Sequence, residues 1–320
     1  MASMSSMVGS AISAASLTST FTGVRRPSTL ELMLLGTILL WALNITVTRY
    51  ILTHGFRPLA YATVRYGTAA AVFAGISLVA ERTMRISRRD LLFVGAAALS
   101  IFANQVCFIY AVKTSTASVV AIVLGATPIF AALLGLVLGT ERLSRSFWLG
   151  AAVSFAGVGL VAAGSSGELS GGLGGILLAI ATAATWAAYS VAIAPLMRRY
   201  SPSRISAIVL PLGWLGLAVA GIGQTRSQDY GLGWRIWLLL AFATFGPLVL
   251  TNILWFRSLH RIGPSRATLA ANLQPFIAAV IALVLLSEKM TAIQVAGGLC
   301  IAAGIAVARC APATPTVPVE

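Results

Sequence analysis

Apolar residues along this chain come in long unbroken runs separated by short polar gaps, with neither the two-residue alternation of a half-buried strand nor the one-sided stripe of a surface helix. Ten runs can be marked off by charge, proline and glycine: 31–52, 58–80, 91–112, 116–139, 147–164, 172–197, 205–223, 236–258, 265–287 and 291–308. A helix needs about 20 apolar residues to cross the hydrocarbon core of a bilayer, and each run is of that order. The pattern predicts an all-α integral membrane protein of ten transmembrane helices. Tails are expected at 1–29 and 309–320, the first being a disordered cytoplasmic segment.

Composition agrees. Of 320 residues, 58% are hydrophobic and 9% charged, with a mean hydropathy of +0.92. A soluble domain carries about a quarter charged residues, because it must face water. The solvent around most of this chain is therefore lipid. The net charge of +14 does not indicate nucleic acid, since the basic residues fall in short clusters between apolar runs instead of on one solvated face.

Those clusters set the orientation, because Lys and Arg accumulate in cytoplasmic loops. With a cytoplasmic amino terminus, fifteen fall on the inner side: Arg25 and Arg26; Arg82, Arg85, Arg88 and Arg89; Arg142 and Arg145; Arg198, Arg199 and Arg204; Arg257, Arg261 and Arg266; and Arg309. The outer side receives six, namely Arg49, Arg57, Lys113, Arg226, Arg235 and Lys289, while Arg65 lies inside a span. Both termini are expected in the cytoplasm and the protein in the cell's inner (plasma) membrane. Residues 1–24 are Ser-rich and free of charge, lacking the basic start and apolar core of a secretory signal. Cys107, Cys300 and Cys310 have no metal-type spacing.

The chain repeats itself. At a constant offset of 147, Pro128 falls on Pro275, Glu141 on Glu288, Gly150 on Gly297 and Gly157 on Gly304, while Gln105 meets Asn252 and Thr127 meets Gln274. A weaker match near 145 pairs Trp41 with Trp186 and Asn44 with Tyr189. The copies are 30–164 and 171–308, each with five spans. An odd number of spans makes the second copy enter the membrane from the opposite side. That is the inverted-repeat (5+5) architecture of many secondary transporters, whose substrate site lies near the midplane between the halves.

The repeated segment resembles the EamA family of the drug/metabolite transporter superfamily. The likeness rests on Phe108, Tyr110 and Lys113, then Thr116 and Ser118, Pro128 and Phe130, Gly139 through Ser144, Trp148 and Gly150, and Phe155 and Gly157. The second copy carries Gly263 to Ser265, Gln274 to Phe276, Glu288, Lys289 and Gly297. Trp41 and Asn44 in the first span and Arg65 and Tyr66 in the second are also similar to the family. The resemblance implies a ten-helix permease, a central cavity, alternating access and, by family habit, export. It does not specify a substrate, since members carry amino acids, drugs or other metabolites, and related families carry nucleotide-sugars and phosphorylated sugars.

Candidate site residues follow from what hydrocarbon tolerates. All eight acids lie in loops, tails or span ends, and His54 and His260 lie at span ends. The intramembrane carboxylate of many ion-coupled pumps is therefore missing, as are metal or haem ligands, and no cofactor is expected. An uncharged polar path remains. Trp41 with Asn44, Trp186 with Tyr189, and Asn252 with Trp255 are i, i+3 pairs that share a helix face. A lone amide in hydrocarbon costs about 1–3 kcal/mol, so these faces should point inward, either lining a cavity or bonding helix to helix. Trp255 is expected in the interfacial aromatic belt. Gln105 joins the set through its repeat partner, whereas Asn104, about 100° away, points elsewhere.

Arg65 is either a snorkelling structural residue or a counter-charge for a carboxylate-bearing solute. Pro128 and Pro275 are expected to kink their spans as hinges that free carbonyls, with Thr127 and Gln274 beside each opening. Glu141 and Glu288 read as loop ion pairs with Arg142 and Lys289. Gly135 with Gly139, and Gly171 with Gly175, read as close-packing devices.

Together these residues point to a transporter of small neutral or zwitterionic organic solutes such as amino acids, metabolites or drugs, with the lipid bilayer and that solute as partners. Phosphorylated sugars would call for several buried cations. A non-transporting scaffold stays open, while an intramembrane enzyme lacks a nucleophile and base. Oligomeric state is not encoded legibly.

Overall fold

The computed structural model describes residues 29–81, 83–139, 141–142, 144–164, 172–255, 274–309 and 314–315. The readings at Glu168, Gly171, His260, Cys310 and residues 1–24 lie outside these, as does the side chain of Glu141. The regular elements among the described residues are helices, apart from one short antiparallel pairing of Glu141–Arg142 with Thr314–Pro315.

The helices are α1 (Thr29–Thr53), α2 (Pro58–Glu81), α3 (Leu91–Thr114), α4 (Ala117–Val137), α5 (Arg145–Ala163), α6 (Gly172–Met197), α7 (Pro202–Ala220), α8 (Trp234–Trp255), α9 (Gln274–Leu285) and α10 (Ala292–Arg309). Seven of them, α1 to α4 and α6 to α8, are long and apolar enough to cross a membrane. Helices α5, α9 and α10 are shorter apolar helices. Large apolar side chains face outward along the bundle, with Val79 83% and Leu92 79% exposed. In water such a surface would aggregate; in lipid it is the expected one.

Local chemistry sets the helix boundaries. Thr291 and Gln294 close a capping box at the start of α10, the threonine N–H donating to Gln294 Oε1 at 2.9 Å and the Gln294 N–H to Thr291 Oγ1 at 3.2 Å. In the first copy Ser144 occupies the equivalent position and accepts from the Phe147 N–H at 3.1 Å. Gly139 ends its segment with φ +70°, and a β-carbon on it would meet nothing within 4 Å. It is a left-handed turn residue, not the packing device that the Gly135/Gly139 spacing suggests.

Pro128 also differs from expectation. Helix α4 breaks into Ala117–Leu124 and Thr127–Val137, and Pro128 sits in the first turn of the second piece. A missing N–H costs nothing there, so the span is interrupted ahead of the proline instead of kinked by it. Pro275, which is buried, likewise falls at the second described residue of α9.

The closest helix approach is the α5–α10 seam. A β-carbon on Gly150 would meet the Gly304 carbonyl at 2.4 Å, and one on Gly157 would meet the Gly297 carbonyl at 2.6 Å. Low numbers on α5 thus meet high numbers on α10, so the helices are antiparallel. Because Gly150 corresponds to Gly297 and Gly157 to Gly304, each glycine faces the partner of the other one. Ser154 Oγ crosses the middle of the seam to the Ile301 carbonyl at 3.1 Å. Other contacts have the same symmetry: α2 packs on α7 and α4 on α9, and α1 packs on α9 as α6 packs on α4.

Candidate functional site

The polar centre of the fold is built by α1, α2 and α8. Helix α8 contains a π-helical stretch, Phe245–Leu250, with Pro247 inside it. Pro247 has no N–H to give the Ala243 carbonyl four residues earlier. Arg65 Nε of α2 donates to that carbonyl instead, at 3.1 Å. Arg65 Nη2 donates to Asn44 Oδ1 of α1 at 3.0 Å. The guanidinium lies 5.9 Å from the ring centres of both Tyr61 and Tyr66, a range in which cation and aromatic face attract. Arg65 is 3% exposed. It is held inside the bundle and does not snorkel.

One turn along, Trp41 Nε1 donates to Thr251 Oγ1 at 2.9 Å, and Thr251 Oγ1 donates on to the Pro247 carbonyl at 2.7 Å. The Trp41 ring lies against Trp255 at 5.2 Å and 50°. Trp255 therefore partners a site residue across α1 and α8. Asn252 is half-buried beside Thr251. Thr48 and Tyr61 share a hydrogen bond of 3.0 Å that ties α1 to α2.

From α6, Tyr189 is buried. Its neighbour Trp186 packs on it at 5.5 Å and is 38% exposed. Of the predicted residues, Asn44 and Arg65 thus share one network, Trp41 bonds from α1 to α8 one turn along, and Trp186 and Tyr189 pair with each other on α6. Gln105 belongs to a second network. Its Nε2 donates to Asn104 Oδ1 at 2.9 Å, and Asn104 Nδ2 donates to the Thr182 carbonyl of α6 at 2.9 Å. Gln105 Oε1 is buried and has no hydrogen-bond partner among the described residues. Thr127 spends its hydroxyl on the Leu124 carbonyl at the α4 break, 2.6 Å away. Gln274 is half-buried at the first described turn of α9. An apolar groove of about 280 Å³ runs between α4 and α6, lined by Phe130, Leu134 and Ala188 among others.

Sequence reading missed Pro247, Thr251, Tyr61 and Tyr66 as site builders. Pro247 was the available signal, since a proline inside a span leaves a carbonyl for another group to use.

Both ends of the bundle are fastened. At one end Asp90, 1% exposed, takes Arg199 at 2.6 Å and the Tyr200 hydroxyl at 2.7 Å, and Glu81 takes Arg204 at 2.8 Å. At the other end Arg49 donates to the Val112 and Lys113 carbonyls, each at 2.7 Å, and Lys113 donates to the Leu52 carbonyl at 2.6 Å. Helices α1 and α3 thus cap each other's C-termini with cations, the favoured sign there. Glu288 departs from its predicted pairing with Lys289. Its carboxylate accepts from the Ala117 and Ser118 N–H groups, both at 2.9 Å, and from the Ser118 hydroxyl at 2.7 Å. It caps the start of α4. Gln228 Oε1 and Gln224 Oε1 accept from the N–H groups of Arg57 (2.7 Å) and Leu59 (2.8 Å) at the entrance of α2.

A membrane bundle of two like halves, joined across a central polar network, is the class these features define. The chain belongs to the EamA-like transporter family, whose profile matches residues 28–163 and again 173–310. It is 23% identical over 280 residues to a Bacillus subtilis (strain 168) protein called "Uncharacterized transporter YyaM", covering 86% of this chain and 91% of that one. A Salmonella typhimurium protein described as "Probable amino-acid metabolite efflux pump" is 27% identical over 278 residues, 84% of this chain and 90% of the other. A solved crystal structure shares the fold, with a TM-score of 0.59 at 20% identity over 89% of this chain and 98% of that chain.

Proposed function

We propose that the chain is a secondary transporter that exports small neutral or zwitterionic organic solutes by alternating access. In this reading ten helices form two five-helix repeats of opposite sense, 30–164 and 171–308, in the plasma membrane with both termini in the cytoplasm. The observation that carries it is the antiparallel α5–α10 seam, where Gly150 faces Gly304 and Gly157 faces Gly297. Two equivalent helices packed antiparallel belong to halves inserted in opposite directions, which is what exposes a midplane site to either side in turn.

The solute passes Trp41, Asn44, Arg65, Trp186, Tyr189 and Asn252, with Gln105, Thr127 and Gln274 further along and the Pro128 and Pro275 segments serving as hinges. The uncharged surroundings of this path favour amino acids and amphipathic molecules, in line with the description of the Salmonella relative. One buried Arg and few other cations argue against nucleotide-sugars and phosphorylated sugars. The ties between the halves, Asp90 with Arg199 and Glu81 with Arg204 at one end and Glu288 with the start of α4 at the other, exchange as the halves rock.

Purified protein in proteoliposomes is expected to show counterflow of members of a solute panel of amino acids and amphipathic drugs. No flux above empty vesicles for any member would sink the reading. Trp41→Ala and Trp186→Ala should each lower kcat/KM by about tenfold, the equivalent of about 1.4 kcal/mol, through loss of aromatic surface and, for Trp41, of the Thr251 bond. Unchanged kinetics for both variants would remove these residues from the path. For orientation, Arg88→Cys in a cysteine-free background should react with an impermeant maleimide only after cells are opened. Labelling of intact cells would invert the topology.

A further inference from the structure

The buried cation at the centre of the fold has a neighbourhood unlike that of a structural arginine. Among the described residues the ion pairs are Arg199 with Asp90 and Arg204 with Glu81, both at the ends of spans. Among the described residues Arg65 has no carboxylate partner. Its guanidinium carries five N–H donors, of which one goes to the Ala243 carbonyl and one to Asn44 Oδ1. Nη1 donates to none of the described residues.

Burying a cation away from water costs several kcal/mol unless an anion meets it. A charged group inside the membrane is therefore rare and marks a pathway or a ligand's counter-ion. Here the fold arranges a neutral cradle around the charge: a carbonyl freed by Pro247, an amide oxygen and two aromatic rings. The cradle orients the guanidinium and leaves its charge uncompensated. A single carboxylate matches the planar fork of the free donors. A phosphate, with twice the charge, would call for further cations beside it.

We infer that Arg65 is the carboxylate-binding residue of the passage, so that the transported class is α-amino acids and related amphipathic carboxylates. Uncharged drugs and carboxylate-free amines are not in this class. The inference rests on the transport reading above and narrows it. Neutral Asn44 is essential to it. An aspartate at that position would sit 3.0 Å from Nη2 and compensate the charge from within. Asn44 of α1 and the Ala243 carbonyl of α8 flank the guanidinium, so the site opens where these two helices part.

The test is counterflow and thermal stabilisation of the full-length chain in proteoliposomes and detergent. Its probes are L-leucine and L-phenylalanine, each against its carboxamide, in which the carboxylate is replaced and the amine kept. The acids should be favoured by at least about tenfold in kcat/KM. Asn44→Asp should abolish that preference by lowering acid transport at least about tenfold while amide transport holds or rises. Arg65→Gln should abolish it too, and Arg65→Lys should keep part of it.

A purely structural arginine predicts otherwise, because Asn44→Asp would then give it an ion pair and leave the acid-to-amide ratio unchanged. That ratio staying fixed in Asn44→Asp overturns the inference, even if Arg65→Gln fails to fold. Amides carried as well as acids by the unaltered protein also overturn it, as does a carrier that moves other panel solutes and neither acid. In these cases the transport reading stands. Absence of flux for the whole panel ends both.

Discussion

Gly157→Leu is expected to leave no stably folded carrier, whereas Gly159→Leu, two residues away on the same helix, is expected to be tolerated. A β-carbon at Gly157 would lie 2.6 Å from the Gly297 carbonyl, 2.8 Å from the Ile301 nitrogen and 2.9 Å from Cys300 Cβ. Two of these are backbone atoms and the third is bound to the backbone, so no side chain can rotate away to make room. Helices α5 and α10 would have to separate along their whole seam. Overpacking a core by a methylene or two costs about 1–3 kcal/mol. Gly157→Ala should fall in that range, and leucine beyond it. A β-carbon on Gly159 would meet nothing within 4 Å, and the residue lies on the exposed face of its helix, where replacing glycine gains up to about 1 kcal/mol of helix propensity. Melting temperature and monodispersity in detergent decide the matter. Equal stability for the two leucine variants would show that the seam is not where the halves are joined.

Glu288→Ala should be the most damaging substitution of an acid, and Lys289→Ala beside it should be silent. Three hydrogen bonds from the start of α4 converge on the Glu288 carboxylate, and Ala117 and Ser118 are fully buried. Helix N-terminal N–H groups have no partners within the helix, so removing the carboxylate strands two backbone donors and a hydroxyl. Bonds to charged groups contribute about 1.5–3 kcal/mol, and the helix dipole adds to the attraction. Glu288→Gln keeps one acceptor oxygen and should recover part of the loss. A loop ion pair with Lys289, the sequence reading, predicts instead that Glu288→Ala and Lys289→Ala lose little and lose it equally. The melting temperatures of the three variants separate the two accounts.

The glycine and glutamate cases mark where sequence reasoning succeeds and where it stops. Gly150, Gly157, Gly297 and Gly304 are visible as repeat partners, and close approach is a good reason for glycine at each. That Gly150 faces Gly304 and not its own equivalent is a fact about how two helices lie. Likewise a glutamate in a span-ending loop beside a lysine invites pairing with that neighbour. The N–H groups that claim it lie 170 or more positions earlier in the chain, and no local pattern points to them. The Gly135/Gly139 spacing misled because a motif for close packing and a helix-ending glycine look the same in one dimension.

The candidate site was legible in the same partial way. Trp41, Asn44 and Arg65 could be singled out because hydrocarbon makes polar residues conspicuous. Their partners could not, since Pro247 and Thr251 act through a carbonyl and a hydroxyl that any span contains. Gln105 was legible as a polar residue in a span, and its bonding partner was not. Its repeat partner suggested the central path, and the structure bonds it to Asn104 at the α3–α6 contact.

Sequence alone determined the solvent, the number of apolar segments, the duplication and the family. Each of these depends on the kind and order of residues, because the transfer of side chains from water to lipid is additive along a chain. Tertiary structure decided which carbonyl meets Arg65, which acid caps α4 and which glycines touch. Those depend on the rotation and offset of packed helices, set by many contacts at once between residues far apart in the chain.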